Sequence, residues 1–295
     1  MLLFRKIYED TVLARHTGKY ILFKLIPTRF LSRIFGYVTR IRPPRKMLQA
    51  IIRWYCRSYG VNTDEINYPE NGFSTFNEFF TRTLLPGTHT IDPDPRSIVS
   101  PVDGRVDQFG SVSGESLLQA KGVDYSLRDL LPEGRHVKFI DGNFVTLYLS
   151  PADYHRIHSP VSGTVDAYQV IPGALYTVQE WLVRRMPGLF SINERLVSYI
   201  HTGKGKVAVC KVGALNVGRI SLSYADVLSN RSMLRKFREH EYTEGMGPVL
   251  ARGDELGIFH LGSTVIVLFE KGMMDITGIT SGQKIRMGEV MGRYR

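Results

Sequence analysis

The 295-residue sequence predicts an α+β chain: a mainly-β domain, antiparallel and sandwich- or barrel-like, preceded by an N-terminal α-helical segment. Three observations predict it. Apolar residues recur at helical spacing within the first 60 residues. From about residue 73, short apolar runs alternate with Gly, Pro and Asp. Lys and Arg crowd the N-terminal fifth: residues 1–60 carry a formal charge of +11, and the other 235 carry −1.

The helical segment comes first. After Pro27-Thr28, apolar residues fall at Phe30, Leu31, Ile34, Phe35, Val38 and Ile41, with Arg29, Ser32, Arg33, Thr39 and Arg40 between them. That is 3.6-residue spacing, with Thr28 placed as an N-cap and Pro43-Pro44 as the stop. A second helix is expected over about 47–59, ended by Gly60 in a left-handed C′ conformation. Basic helices with an apolar opposite face suit a membrane interface, where each Lys or Arg near an anionic leaflet is worth roughly 1 kcal/mol. The same pattern fits plain packing on a domain, and less well a nucleic-acid surface. Residues 1–72 are read as this basic amphipathic region and 73–295 as the second domain.

The second domain reads as strands. Phe144 to Leu149, Val207 to Cys210 and Val265 to Phe269 are continuous apolar runs, as expected of buried strands. Short helices are expected near 76–83, 127–131 and 178–185. Two internal echoes stand out. Ser100-Pro101-Val102-Asp103-Gly104 matches Ser159-Pro160-Val161-Ser162-Gly163, and Gly253-Asp254-Glu255-Leu256-Gly257 matches Gly288-Glu289-Val290-Met291-Gly292. Such turns resemble the half-units of small biotinyl- or lipoyl-type β-sandwiches, although neither echo carries a lysine to modify.

Bulk properties narrow the function classes. Two cysteines, Cys56 and Cys210, make neither a disulfide framework nor a metal spacing, so a reducing compartment is expected. No uncharged stretch approaches the ~20 residues that span a bilayer. Met1-Leu2-Leu3-Phe4 meets Arg5-Lys6 without the long apolar core of a secretory signal.

A few residues could carry chemistry. His155 and His158 stand three apart in Tyr154-His155-Arg156-Ile157-His158, between Pro151 and Pro160. His-x-x-His can bind zinc, but a third ligand must come from elsewhere. Asp103 sits in a Pro-Gly turn, where an aspartate is most often structural. Ser263, in Leu261-Gly262-Ser263-Thr264, leads into an apolar strand. A serine needs a base to become a nucleophile, and the base needs a carboxylate to set its tautomer. All three types are present, and spacing alone does not bring them together.

The order of segments adds a resemblance. The chain resembles phosphatidylserine decarboxylases of the bacterial, membrane-associated, pyruvoyl-dependent kind. The resemblance is carried by Phe76-Asn77-Glu78-Phe79-Phe80-Thr81-Arg82, Pro101-Val102-Asp103-Gly104, Asp153-Tyr154-His155-Arg156-Ile157-His158-Ser159-Pro160, Asn193-Glu194-Arg195, Val212-Gly213-Ala214 and Leu261-Gly262-Ser263-Thr264-Val265. Residues 1–72 share only its basic, amphipathic character.

The resemblance implies self-cleavage between Gly262 and Ser263. The Ser263 hydroxyl would attack the Gly262 carbonyl, and β-elimination would release residues 1–262 as a β chain. Residues 263–295 would become an α chain headed by a covalent pyruvoyl group. Asp103, His158 and Ser263 would form the self-cleavage triad. The pyruvoyl group at position 263 would take the substrate amine as a Schiff base, with His155 the proton donor in decarboxylation. No metal is implied. The expected partners are phosphatidylserine and an anionic membrane surface, with the two chains remaining associated, a homodimer allowed and no nucleic acid. The expected place is the cytoplasmic side of the cell membrane, peripherally bound. His260, three residues before Ser263, is read as a neighbour. Rival readings are a pyruvoyl decarboxylase of a soluble amino acid, a His-x-x-His metal hydrolase, and a non-catalytic membrane-bound sandwich.

Overall fold

A computed structural model describes residues 28–120, 123–215, 219–230, 236–260 and 264–295. Two helices lead: α1 (Thr28–Val38) and α2 (Arg45–Tyr59). Gly60 takes φ 72° and its N–H reaches the Cys56 carbonyl, so α2 ends as its sequence predicts. Thr28 Oγ1 accepts the Leu175 N–H at 3.3 Å and fastens α1 to the β domain. Three of the short helices lie near the expected places: α3 (Phe76–Phe80), capped by Thr75, α4 (Leu127–Leu130) and α5 (Glu180–Val183), followed by α6 (Leu189–Ile192).

The rest is antiparallel strand. The main sheet has nine strands. They are β2 (Gly104–Ser111), β5 (Asn143–Tyr148), β7 (Gly163–Ile171), β8 (Arg195–Thr202), β9 (Gly205–Val212), β11 (Arg238–Glu241), β12 (Val249–Leu250), β14 (Thr264–Phe269) and β16 (Lys284–Ile285). Their order is β11-β7-β8-β9-β14-β5-β2-β16, with β12 also on β7, and this path is open among the described residues. A second sheet joins β1 (Ser97–Val99), β17 (Val290–Tyr294) and β15 (Met274–Ile276). A third joins β10 (Ile220–Leu222), β13 (Glu255–Phe259) and β6 (Arg156–His158). The hairpin β3 (Ser116–Ala120) and β4 (Val123–Ser126) stands apart.

The three apolar runs seen in the sequence form the middle of the main sheet. All six residues of β14 are buried, flanked on one side by β9 and on the other by β5. A strand buried on both faces has no polar alternation to show, which is why these segments read as unbroken apolar runs.

The sequence echoes are spatial equivalents. Ser100 Oγ donates to the Val102 carbonyl at 2.7 Å, and Ser159 Oγ to the Val161 carbonyl at 2.6 Å. Ser100 N–H reaches the Glu289 carbonyl at 2.7 Å, as Ser159 N–H reaches that of Asp254 at 2.7 Å. Gly253 and Gly288 have φ of +92° and +91°, conformations that glycine adopts without strain. The two Ser-Pro-Val turns also bond each other: Val99 N–H to the Pro160 carbonyl at 3.1 Å, and His158 N–H to the Pro101 carbonyl at 2.8 Å. Two half-units therefore meet back to back at these turns.

Candidate functional site

Asp103 enters the site from the first of these turns, just before β2. Its Oδ1 accepts the Met287 N–H at 2.8 Å and the His89 Nε2–H at 2.7 Å. In the second half-unit Ser162 holds the place of Asp103, and its Oγ accepts the Arg252 N–H at 3.0 Å.

His158 closes β6, one residue before the second turn. Its Nδ1–H donates to the Gly253 carbonyl at 2.7 Å. The carbonyl can only accept, so Nδ1 carries the proton and Nε2 presents its lone pair. Tyr154 O–H donates to that lone pair at 3.1 Å. Burial lowers the His158 pKa, so the ring is neutral.

His155 is fully buried against the Phe80 ring, with centroids 4.1 Å apart. Its Nδ1–H donates to the Asp153 carbonyl at 2.7 Å, and Nε2 has no partner among the described residues. Burial, helped by the nearby Arg82 cation, pushes its pKa down to about 3. His155 thus rests as a neutral ring. Arg82 Nη2 donates to the Ala152 and Asp153 carbonyls at 2.9 and 3.3 Å and so holds the loop ahead of both histidines.

His260 ends the run from β13. Its Nε2 lies 3.1 Å from Ser221 Oγ and its Nδ1 3.3 Å from Asn77 Oδ1. Burial first, then Arg40 and other cations, push its pKa down to about 4. Leu261, Gly262 and Ser263, where cleavage is expected, lie outside the described residues. The chain is described again from Thr264, which opens β14 and pairs with Tyr148 of β5 and Val212 of β9.

The expected triad is thus brought together only in part. Asp103 and His158 flank the paired turns, but among the described residues no hydrogen bond joins them. His89 and Tyr154 stand between, with ring centroids 5.3 Å apart. The sequence reading missed both roles. His89 lies in an unremarkable Pro-Gly loop, 14 residues before its partner Asp103, and no spacing rule connects them. Among the described residues no three His, Cys, Asp or Glu side chains are grouped to hold a metal.

A cleft of about 790 Å³ opens beside the site. Val38, Ile41 and Trp54 line its helical side, and Leu149, Ala214 and Leu215 its floor. Leu149 directly follows β5 and Ala214 lies two residues beyond β9, the two strands that flank Thr264. A smaller polar cleft, about 280 Å³, includes Asp103, Arg82, Lys284 and Arg286, and Tyr59 borders both clefts.

The helices turn apolar residues outward. On α1 the buried residues are Thr28 and Ser32. Phe30, Leu31, Ile34, Phe35 and Val38 are exposed, as are Ile41, Met47 and Trp54 beyond, with Phe30 at 53% and Trp54 at 63%. The polar side docks instead: Arg29 pairs with Glu194 at 3.3 Å and Arg33 reaches the Asn230 carbonyl at 3.3 Å. No helix among the described residues is long and apolar enough to cross a membrane.

Sequence relatives now decide the family. Residues 76–293 match the pattern of the family described as phosphatidylserine decarboxylase. The chain belongs to the phosphatidylserine decarboxylase family. It is 43% identical over 274 residues to a protein named phosphatidylserine decarboxylase proenzyme from Halorhodospira halophila, covering 92% of each chain. Proteins of the same name from Myxococcus xanthus and Methylococcus capsulatus are each 42% identical, over 84% and 92% of this chain and 88% and 94% of their own. Membership of the phosphatidylserine decarboxylase family thus rests on most of the chain and on both half-units.

Proposed function

We propose that this chain is a proenzyme that cuts itself between Gly262 and Ser263 and then decarboxylates phosphatidylserine to phosphatidylethanolamine, as a carboxy-lyase at an anionic membrane surface. The observation that carries this reading is the placement of the apolar cleft. It starts at an outward-facing apolar helix surface and reaches Tyr148, the strand partner of Thr264, which follows the expected cleavage site. A soluble amino acid would need no such surface.

The residues fit the roles. His158 is neutral, with its proton on Nδ1 and its lone pair on Nε2. It is therefore suited to take the Ser263 hydroxyl proton as a general base once Tyr154 yields the nitrogen. Asp103 brings a carboxylate to the neighbouring turn, held by the Met287 N–H and His89. The buried Nε2 of His155, without a partner among the described residues, fits a reacting group placed beside it. A pyruvoyl group derived from Ser263 supplies the electron sink for the loss of CO2.

His155 then handles one proton. Loss of CO2 from an amino acid that leaves as an ammonium product consumes one proton, drawn from solvent, and Nε2 is the atom that would pass it to the carbon that has lost CO2. The depressed pKa makes the imidazolium a strong acid, ready to give the proton up. The polar cleft offers Lys284 and Arg286 as donors to the phosphodiester, while the apolar cleft takes the acyl chains.

The apolar face of α1 and α2 lies in the interfacial layer, and the basic residues of the N-terminal fifth hold it to anionic lipid. The two echoed half-units correspond to halves of a lipoyl-like sandwich. The cleaved chains stay together because β14 lies in mid-sheet.

Release of CO2 from carboxyl-labelled phosphatidylserine in vesicles, compared with free serine and with water-soluble phosphoserine, tests the substrate. Turnover of the vesicle lipid alone is expected. Equal turnover of free serine would overturn the membrane reading.

A further inference from the structure

Asp103 and His158 are read as acting together, and what lies between them is a pair of rings. His89 donates Nε2–H to Asp103 Oδ1 at 2.7 Å, and its side chain is only 7% exposed. Its ring packs on Tyr154 at 5.3 Å. Tyr154 in turn stacks on His158 at 5.7 Å and donates its O–H to Nε2 at 3.1 Å.

Both ends of this row are tied to backbone. The Met287 N–H holds Asp103 Oδ1 at 2.8 Å, and the Gly253 carbonyl holds His158 Nδ1–H at 2.7 Å. Those anchors belong to the two equivalent turns of the half-units. Where the second half-unit has Ser162 in place of Asp103, the side chain is exposed and uncharged. The carboxylate is kept in the half-unit where an imidazole stands against it.

A hydrogen bond from an imidazole N–H to a carboxylate fixes the ring that donates it. With His89 fixed, the Tyr154 ring is held from one face, and its stacking on His158 at 5.7 Å holds the plane of that imidazole after the hydroxyl has left Nε2. We propose that His89 is a positioning residue for self-cleavage, through which the Asp103 carboxylate orients Tyr154 and His158 without touching His158. This rests on the reading of Asp103 and His158 as self-cleavage residues.

The test is a kinetic cycle on freshly translated full-length precursor, following the appearance of the 263–295 fragment. The chains are wild type, His89→Leu, Asp103→Asn and the double variant. Leucine keeps the bulk of His89 and loses the N–H. Loss of a charge-assisted hydrogen bond is expected to slow cutting by about tenfold to a hundredfold. If His89 acts through Asp103, the double variant is no slower than Asp103→Asn. His89→Gln, which keeps a donor, regains most of the rate. The acid limb of the pH–rate profile moves alike in His89→Leu and Asp103→Asn.

Slowdowns that multiply in the double variant, no recovery with glutamine and an unmoved acid limb would overturn the proposal. Should His89→Leu fail to fold, as read from its thermal melt, the cycle is run with His89→Gln, whose slowdown must likewise vanish in the Asp103→Asn background. A wild-type chain that never cuts overturns the underlying reading instead.

Discussion

His155, His158 and His260 all have lowered pKa values, and in each the leading cause is removal from water. The direction sets two predictions. Unfolded histidines bind protons near 6.5, where these folded rings do not. The stability they contribute is therefore full above pH 6.5 and is lost as pH falls through about 4 for His260 and about 3 for His155. The melting temperature should fall steeply from pH 6.5 towards 4, and His260→Gln should flatten part of that slope. Nitrogen-15 NMR should find His155 still neutral at pH 5, and a cationic ring there would refute the proton route. His155→Ala should spare cutting and lose turnover, read by gel and by CO2 release on the same sample.

Lys211 is a second buried titrating group. Its Nζ donates to Ser198 Oγ at 2.7 Å and to the Val209 carbonyl at 3.3 Å, and burial pushes its pKa down to about 7. The unfolded lysine keeps its proton up to about 10.5, so this residue makes stability rise with pH between 7 and 10.5. Lys211→Met should remove that rise and stabilise the fold at pH 7 by about 1–3 kcal/mol, measured by denaturant unfolding.

At the level of elements, α1 settles which face of an amphipathic helix meets the protein. Periodicity in a sequence locates an apolar stripe but not the medium that the stripe contacts. The deciding contacts, Arg29 with Glu194 and Thr28 with Leu175, join residues more than a hundred positions apart, and no local pattern records them. The strands were more legible. β5, β9 and β14 appear as apolar runs because burial on both faces removes alternation. The motif around His155 and His158 was legible as chemistry, whereas their tautomers were not, since those depend on the carbonyls of Asp153 and Gly253. Phe30→Ser with Phe35→Ser should weaken vesicle binding, because each buried aromatic is worth roughly 1.5–3 kcal/mol. Flotation should register a loss of at least about tenfold. Cutting should continue. Unchanged flotation would leave the outward face without its proposed medium.

On the scale of the whole molecule, two half-units each supply part of the candidate site. Asp103 comes from the first Ser-Pro-Val turn and His158 from beside the second, and the turns bond each other directly. The expected fragment 263–295 contributes β14 to the middle of the main sheet, β16 to its edge beside β2, and β15 and β17 to the sheet with β1. Taking it out would strip six ladder pairs from each of β5 and β9. The fragments should therefore co-elute in native buffer and part only in denaturant. Intact mass spectrometry of active protein under denaturing conditions tests self-cleavage most directly. The account predicts two species, residues 1–262 and residues 263–295 with a pyruvoyl-blocked N-terminus, and a single uncut mass for Ser263→Ala. One uncut 295-residue species from fully active protein would contradict it.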